Sequence, residues 1–319
     1  MKTNFQVLVT APHWAASAQD IVRGAGGQIT FLPEPMTEDM LAEQLAVTGA
    51  QAVVLRGSKP ISERVLAAAP ALKIIAKNGA GVDSVDLVAA RQRGIAVAVA
   101  PAANADAVAE HALALMLTLT RQLTLLDGMV RGGQWADSTW QGRDFRGSVV
   151  GIVGYGSIGR STARLAAALG ARVLVLRPHG QADNHATEPD LERFLAQIDI
   201  LSLHCPLTER TRGLIGQREL SLLRRGSLLI NTARGPVVDE VALLQALQSG
   251  HLEGAGLDTF ETEPLLAGHP LLALPNVLLT PHVAGVTRNA AMQVANITAR
   301  NIVEYLATGT LPAHHLVAG

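Results

Sequence analysis

At 319 residues, with 26 basic against 27 acidic side chains, the chain has room for about two domains and no charge excess to favour a nucleic-acid or membrane-surface partner. Charged residues make up 17% and aromatic ones 3% of a background rich in Ala, Leu, Val and Gly, which fits parallel strands buried on both faces. The single cysteine, Cys205, excludes an intrachain disulfide framework, the N-terminus has no signal-peptide pattern, and no apolar run reaches the roughly 18 residues of a membrane span, so a soluble cytoplasmic protein is expected.

Short apolar runs over 6–10, 28–32, 52–55, 73–76 and 95–99 read as strands, with helical patterns over 15–24, 37–48, 61–69 and 85–93 between them. This βαβ alternation predicts a parallel sheet. Its polar loops, Arg56-Gly57-Ser58-Lys59 and Lys77-Asn78-Gly79-Ala80-Gly81, fall at the carboxyl edge, where open α/β sheets bind ligands. A helical pattern over 104–122, apolar almost all round, predicts a buried helix bridging two domains, and a polar segment over 131–147 with Trp135 and Trp140 follows it.

Next comes the stretch with the strongest chemical signal, an apolar strand from Val149 running into Gly154-Tyr155-Gly156-Ser157-Ile158-Gly159. In a G-x-G-x-x-G turn the first glycine makes the bend, the second lets a pyrophosphate approach bare backbone, and the third packs helix on strand. A helix over 161–169, Gly170 as its cap and a strand over 171–176 give the motif the context of a dinucleotide site. That strand ends at Arg177-Pro178-His179, where NAD-dependent proteins place a carboxylate for the ribose hydroxyls. A guanidinium there attracts a 2′-phosphate bidentately, so NADP(H) is the expected cofactor, with NAD(H) as the alternative.

Further strands over 198–203, 227–231, 254–258 and 277–280 end at polar or ionisable residues. Arg234, Glu263 and His282 stand at or just beyond such ends. Reduction of a carbonyl puts negative charge on oxygen, which must be met by a proton and a fixed cation. His282 is therefore read as acid/base, Glu263 as the partner that orients it and stabilises its imidazolium, and Arg234 as the clamp on a substrate carboxylate. Each residue taken alone would more often be structural; their company with a dinucleotide motif is what argues for chemistry. A last helix over 288–307 has no sheet partner nearby in sequence and is expected to return to the first domain.

The runs Asn104-x-x-x-Val108-Ala109-Glu110-His111, Gly154 to Gly159, His204-Cys205-Pro206-Leu207-Thr208, Asn231-Thr232-Ala233-Arg234-Gly235, Gly256-Leu257-Asp258-x-Phe260-x-x-Glu263-Pro264 and Thr280-Pro281-His282-Val283-Ala284-Gly285 together resemble the D-2-hydroxyacid dehydrogenase family over essentially the whole chain. The resemblance implies an α/β protein of two doubly wound parallel-sheet domains, a Rossmann cofactor domain over 102–286 inserted into a flavodoxin-like substrate domain made of 1–101 and 287–319. It implies Arg234, Glu263 and His282 as the catalytic set. It also implies cofactor contacts at Val108, Gly154, Gly156, Ser157, Ile158, Gly159, His204, Cys205, Pro206, Thr211, Thr232, Ala233, Asp258, Ala284 and Gly285, to which Arg177, a departure from the family's acidic residue, is added from its own chemistry. Substrate contacts are expected at Arg56, Gly57, Ser58, Gly79, Ala80 and Gly81, no metal is assigned, and a homodimer through the cofactor domains is expected.

The sequence stops soon after its last helix, so the regulatory domain of longer phosphoglycerate dehydrogenases is not expected, which favours a small-acid reductase of glyoxylate or hydroxypyruvate type. Arg56, Lys59 and Lys77 leave a substrate with a second anionic group open, unless the lysines are solvated loop charges. A 3-phosphoglycerate-type dehydrogenase and a non-catalytic dinucleotide-sensing corepressor are the alternatives.

Overall fold

The computed structural model describes residues 4–57, 59–79, 81–177 and 180–318; Ser58, Ala80, Pro178 and His179, named above, lie outside the described residues. The chain begins β1 (Phe5–Val9), α1 (Ala16–Gly24), β2 (Gly27–Phe31), α2 (Glu38–Thr48), β3 (Ala52–Leu55), α3 (Glu63–Ala67), β4 (Ile74–Lys77), α4 (Leu87–Gln92) and β5 (Ala96–Ala98). It continues through α5 (Ala105–Thr120), α6 (Leu123–Arg131), β6 (Val149–Val153), α7 (Ser157–Ala168), β7 (Arg172–Leu176), β8 (Ala186–Glu188), α8 (Leu191–Leu195), β9 (Ile200–Leu203), α9 (Gln217–Leu222), β10 (Ser227–Asn231), α10 (Glu240–Gln248), β11 (Leu252–Leu257) and β12 (Val277–Leu279). It closes with α11 (Arg288–Thr308) and β13 (Leu316–Ala318). Two compact units result, Met1–Asn104 with Val286–Gly319, and Ala105–Gly285.

In the first unit the strand order is β13-β5-β4-β3-β1-β2, parallel except for β13, which adds antiparallel to β5. The parallel strands have the flavodoxin-like order. Successive residues of a strand point to opposite faces, so Leu8, Val53 and Ile75 meet Leu41, Leu45 and Val65 on one side. Val7, Val54 and Ile74 meet Ala18 and Val22 of α1 with Ala295, Ala299 and Ile302 of α11 on the other. Both faces are covered, which is why these strands read as continuous apolar runs. Asn301 of α11 ties the two parts of the unit by donating to the Val99 carbonyl at 2.9 Å.

The second unit is a seven-stranded sheet in the order β12-β11-β10-β9-β6-β7-β8, all parallel. Counted from β6 this is the Rossmann order, and its direction of growth reverses between β6 and β9. Pairing sets Leu176, Val153, Leu203, Asn231, Leu257 and Leu279 level across the sheet. The residues that follow them, Arg177, Gly154, His204, Thr232, Asp258 and Thr280, therefore lie along one carboxyl edge.

The helix expected over 104–122 is α5, and a second helix that was not expected follows it. α5 ends at Thr120, and a 60° bend through Gln122, whose φ of 51° is left-handed, starts α6. α5 belongs to the second unit, where it packs on α7; Asp106, Glu110 and Ala114 are exposed, so it is not buried on every side. α7 starts at Ser157, four residues earlier than the 161–169 expected, because Gly159 already lies within its first turn. The short β8 and β13 carry no apolar alternation in sequence.

Phe194 of α8 is fully buried among Leu195, Ile198 and Leu201. Phe194→Ala is expected to cost about 3–5 kcal/mol of stability, measured by denaturant titration; a loss below about 1 kcal/mol would contradict this packing.

Candidate active site

The turn after β6 uses its three glycines differently. Gly154 has φ of 91°, and a side chain there would collide with the backbone of His204 and Cys205, so this position joins the β6 and β9 tips. A Cβ on Gly156 would meet nothing within 4 Å. Gly159 packs so closely on Gly154 O that a Cβ would overlap it. α7, which begins here, has no side-chain cap and no acidic residue in its first turn, whereas α2, α4, α8, α10 and α11 are capped by Thr37, Asp86, Asp190, Asp239 and Thr287. Bare backbone, open space and an uncapped helix N-terminus at Ser157 and Ile158 suit a pyrophosphate.

Arg177 follows β7, half-buried, with its N–H donating to the Glu188 carbonyl at 3.1 Å. Its guanidinium lies 5.9 Å from the centre of the Tyr155 ring, and that of Arg160 lies at 4.7 Å. Tyr155 donates to Asp183 at 2.7 Å, and Arg160 reaches both Asp183 oxygens at 2.8 and 2.7 Å. Burial, followed by the Asp183 carboxylate, pushes the Tyr155 hydroxyl up to about 12, so it remains a hydrogen-bond donor at neutral pH.

Beyond β9, the His204 ring nitrogens meet Ser202 Oγ at 2.9 Å and Thr232 Oγ1 at 3.5 Å. Burial pushes its imidazole down to about 3. Cys205 is buried, and burial raises its thiol, which makes it a poor nucleophile. The loop after it closes on itself: the Thr211 hydroxyl donates to Pro206 O at 2.6 Å and accepts from Thr208 N at 2.8 Å. Val108 is buried within α5.

At the β10 tip the buried Asn231 side chain accepts from Ala233 N at 3.0 Å and donates to Arg234 O at 2.9 Å, bracing the backbone that carries the guanidinium. Thr232 and Ala233 are buried beside it. Gly235 lies so close to the Phe260–Glu261 backbone that any Cβ would overlap it, which holds the Arg234 and Glu263 loops together. Glu263 Oε1 accepts from Phe260 N at 3.1 Å, and Oε2 meets His282 Nδ1 at 2.8 Å. Burial acts to raise the Glu263 carboxyl, but the His282 hydrogen bond, the Phe260 N–H and the charge of Arg234 outweigh it and hold the carboxyl below its usual range.

His282 itself has φ of 54°, a left-handed conformation uncommon for a non-glycine residue. It is fixed from both sides. His282 N donates to Thr280 O at 3.0 Å, and the next two amides, Val283 and Ala284, donate to the Asp258 carboxylate at 2.9 Å each. Asp258 is 1% exposed and also accepts from Thr280 Oγ1 at 2.6 Å. Its carboxylate thus braces the 283–284 backbone just after His282.

The structure brings Arg234, Glu263 and His282 together and puts the glycine turn, Arg177, His204, Thr232 and Asp258 on the same sheet edge. Of the expected substrate contacts, Arg56, Gly57, Gly79 and Gly81 belong to the first unit, at loops after β3 and β4. Arg56 donates from Nη1 to His13 O at 2.6 Å, and the Gly79 carbonyl accepts from Ala100 N at 3.1 Å. Neither lysine is a solvated loop charge. Lys59 pairs with Glu34 at 2.7 Å, and Lys77, 8% exposed, donates to the Gly57 carbonyl. Residues that sequence reasoning did not assign are Asn231, Thr280 and His111, whose Nε2 lies 3.0 Å from Thr280 Oγ1. All three sit inside the motif runs, at strand ends or one helix turn from Val108, which is the signal that could have found them. Among the described residues no cluster of three or more His, Cys, Asp or Glu could hold a metal ion.

Residues 113–284 match the family of D-isomer specific 2-hydroxyacid dehydrogenases, NAD binding domain. The chain is 37% identical over 316 residues to D-3-phosphoglycerate dehydrogenase of Archaeoglobus fulgidus, covering 98% of this chain and 59% of that relative. It is 38% identical over 262 residues to glyoxylate reductase of Thermofilum pendens, covering 79% of this chain and 77% of the relative. The crystal structure of TT0316 protein from Thermus thermophilus superposes with a TM-score of 0.89 at 35% identity, covering 98% of this chain and 100% of that one. The chain thus spans 59% of the length of the archaeal phosphoglycerate dehydrogenase.

With its imidazole at about 3 in the folded state and near 6.5 when unfolded, His204 takes up a proton only on unfolding across that window, so its contribution to stability is present above about pH 6.5 and is lost as pH falls toward 3. An NMR titration is expected to show a His204 ring that stays neutral from pH 8 to about 5; a midpoint near 6.5 would contradict the burial described.

Proposed function

The chain belongs to the D-isomer specific 2-hydroxyacid dehydrogenase family, and from that premise we propose that it reduces a small 2-keto acid of glyoxylate or hydroxypyruvate type to the 2-hydroxy acid, using NADPH. The observation that carries this reading is the Glu263–His282 contact at 2.8 Å beside Arg234, on the edge that also bears the glycine turn.

When bound, a reduced nicotinamide dinucleotide supplies the hydride. Gly154, Gly156, Ser157, Ile158 and Gly159 would hold its pyrophosphate, with Val108, Pro206, Thr211, Ala284 and Gly285 among the residues assigned to the rest of the cofactor. Glu263 occupies His282 Nδ1, which leaves Nε2 to deliver a proton to the carbonyl oxygen as negative charge grows there. Glu263 offsets the charge of the imidazolium before transfer. Arg234, permanently charged, grips the substrate carboxylate and stabilises the developing alkoxide. From the family resemblance Arg56, Gly57, Gly79 and Gly81 are also assigned to substrate binding.

The small-acid reading is favoured by the lysines. With Lys59 paired to Glu34 and Lys77 buried under a carbonyl, neither offers a ready site for a second anionic group. Glyoxylate reductase relatives support the same class, while the phosphoglycerate dehydrogenase relatives favour the second reading, a 3-phosphohydroxypyruvate-reducing enzyme. The NADPH preference rests on Arg177 at the β7 tip, where a carboxylate would repel the 2′-phosphate. A homodimer through the second unit is supported by the exposed apolar residues Leu123, Leu125 and Val130 of α6.

Loss of NADPH absorbance is expected with glyoxylate or hydroxypyruvate at a higher kcat/KM than with 3-phosphohydroxypyruvate, and His282→Ala is expected to lower kcat by about 10²–10⁴-fold while leaving NADPH binding intact. A wild-type protein inert toward both small acids would overturn the proposal. For the cofactor, kcat/KM should favour NADPH, and Arg177→Asp should move the preference toward NADH; a clear NADH preference in the unaltered protein would contradict the role of Arg177.

A further inference from the structure

We propose that His111 is a positioning residue for the reaction, acting on His282 through Thr280 and Asp258. The inference rests on the reading of His282 as proton donor. His111 lies on α5, far in sequence from the loop it would govern. Its Nε2 is 3.0 Å from Thr280 Oγ1, Thr280 Oγ1 is 2.6 Å from Asp258 Oδ1, and the same Oδ1 accepts the Val283 amide at 2.9 Å while Oδ2 accepts that of Ala284.

The direction of each bond follows from which partners carry protons. An ionised Asp258 can only accept, so the one hydroxyl proton of Thr280 is committed to it. The Thr280 oxygen is then left with lone pairs only toward His111, and the imidazole must present Nε2–H. His111 thereby fixes the hydroxyl rotor of Thr280 toward Asp258. Without that donor the Thr280 oxygen has an unmet lone pair and is held from one side only, so its bond to the buried Asp258 carboxylate loosens. The Val283 and Ala284 amides are then held by a carboxylate that can itself shift, and these are the bonds that keep the left-handed turn at His282. The Nε2 of His111 is also 3.7 Å from Asp258 Oδ1, so the ring closes on both members of the Thr280–Asp258 pair. A residue that served only to pack α5 would need shape at this position and no N–H.

The test compares His111→Phe, which keeps a ring and removes the donor, with His111→Gln, whose amide nitrogen can donate from a similar place. Alongside them go Thr280→Val and the double variant His111→Phe/Thr280→Val. Steady-state kinetics with the best 2-keto acid are measured together with amide hydrogen exchange over 281–285. His111→Phe is expected to lower kcat about tenfold with KM for NADPH within about twofold, and to speed exchange at Val283 and Ala284. His111→Gln should recover most of both, and the double variant should be no worse than the poorer single variant, because the two substitutions break one chain. Multiplicative losses in the double variant, a His111→Gln protein as impaired as His111→Phe, or unchanged exchange over 281–285 would each overturn the inference; if His111→Phe does not fold, Thr280→Val carries the same exchange test. A wild-type protein inert toward every 2-keto acid, with exchange still following the expected order, would remove the proposed activity and leave the hold on the loop supported.

Discussion

A carboxylate that is 1% exposed must find its hydrogen bonds inside the protein, and Asp258 finds them in the Thr280 hydroxyl and two consecutive amides after His282. Bonds to a buried charged acceptor are worth about 1.5–3 kcal/mol each. Holding a non-glycine residue in the left-handed region costs about 1–3 kcal/mol. The bonds win, so the chain turns at His282 with φ of 54° and presents the ring to Glu263. Glu263 is fixed by the Phe260 amide, and the absence of a side chain at Gly235 lets the Arg234 loop lie against the same backbone. The three ionisable groups therefore owe their proximity to neighbours outside the set, namely Asp258, the Phe260 amide and Gly235.

The sheet supplies the other half of the arrangement. Its register brings six strand tips level, and the residue following each tip is polar or glycine where the strand before it is apolar. The strands are mostly apolar because both faces of the sheet are covered, so ionisable side chains collect at the carboxyl edge. At Gly154 the requirement is steric, since the His204–Cys205 backbone occupies the space of a side chain. At Gly156 the space is open.

Much of this was legible in the residues. The parallel architecture follows from apolar runs of strand length separated by helical periods, and the glycine spacing with its flanking strand and helix located the dinucleotide turn. Arg234, Glu263 and His282 stood out as ionisable residues at strand ends or just beyond them, in the company of the glycine motif. Legibility ended where geometry depended on contacts between distant segments. Asp258 reads from its motif as a nicotinamide neighbour, and its bonds to the Thr280 hydroxyl and the Val283 and Ala284 amides, made across the β11–β12 pair, could not be read there. Lys77 reads as a loop charge because lysine is usually exposed, yet it closes β4 and lies under the Gly57 carbonyl. The end of the long helix at Gln122 was legible in the polar Thr120-Arg121-Gln122, whereas the short α6 that follows was not read, and nothing local announces a left-handed glutamine.

Hydride transfer to a carbonyl carbon beside Arg234 and His282 is tested most directly by following the isotope. NADPH carrying deuterium at both C4 positions is supplied with glyoxylate, and the product is examined by mass spectrometry and proton NMR. Deuterium bonded to C2 of the hydroxy acid, with one atom transferred per NADPH consumed, is the predicted result. A hydroxy acid formed without deuterium at C2, or NADPH left unconsumed across the 2-keto acids, would contradict it.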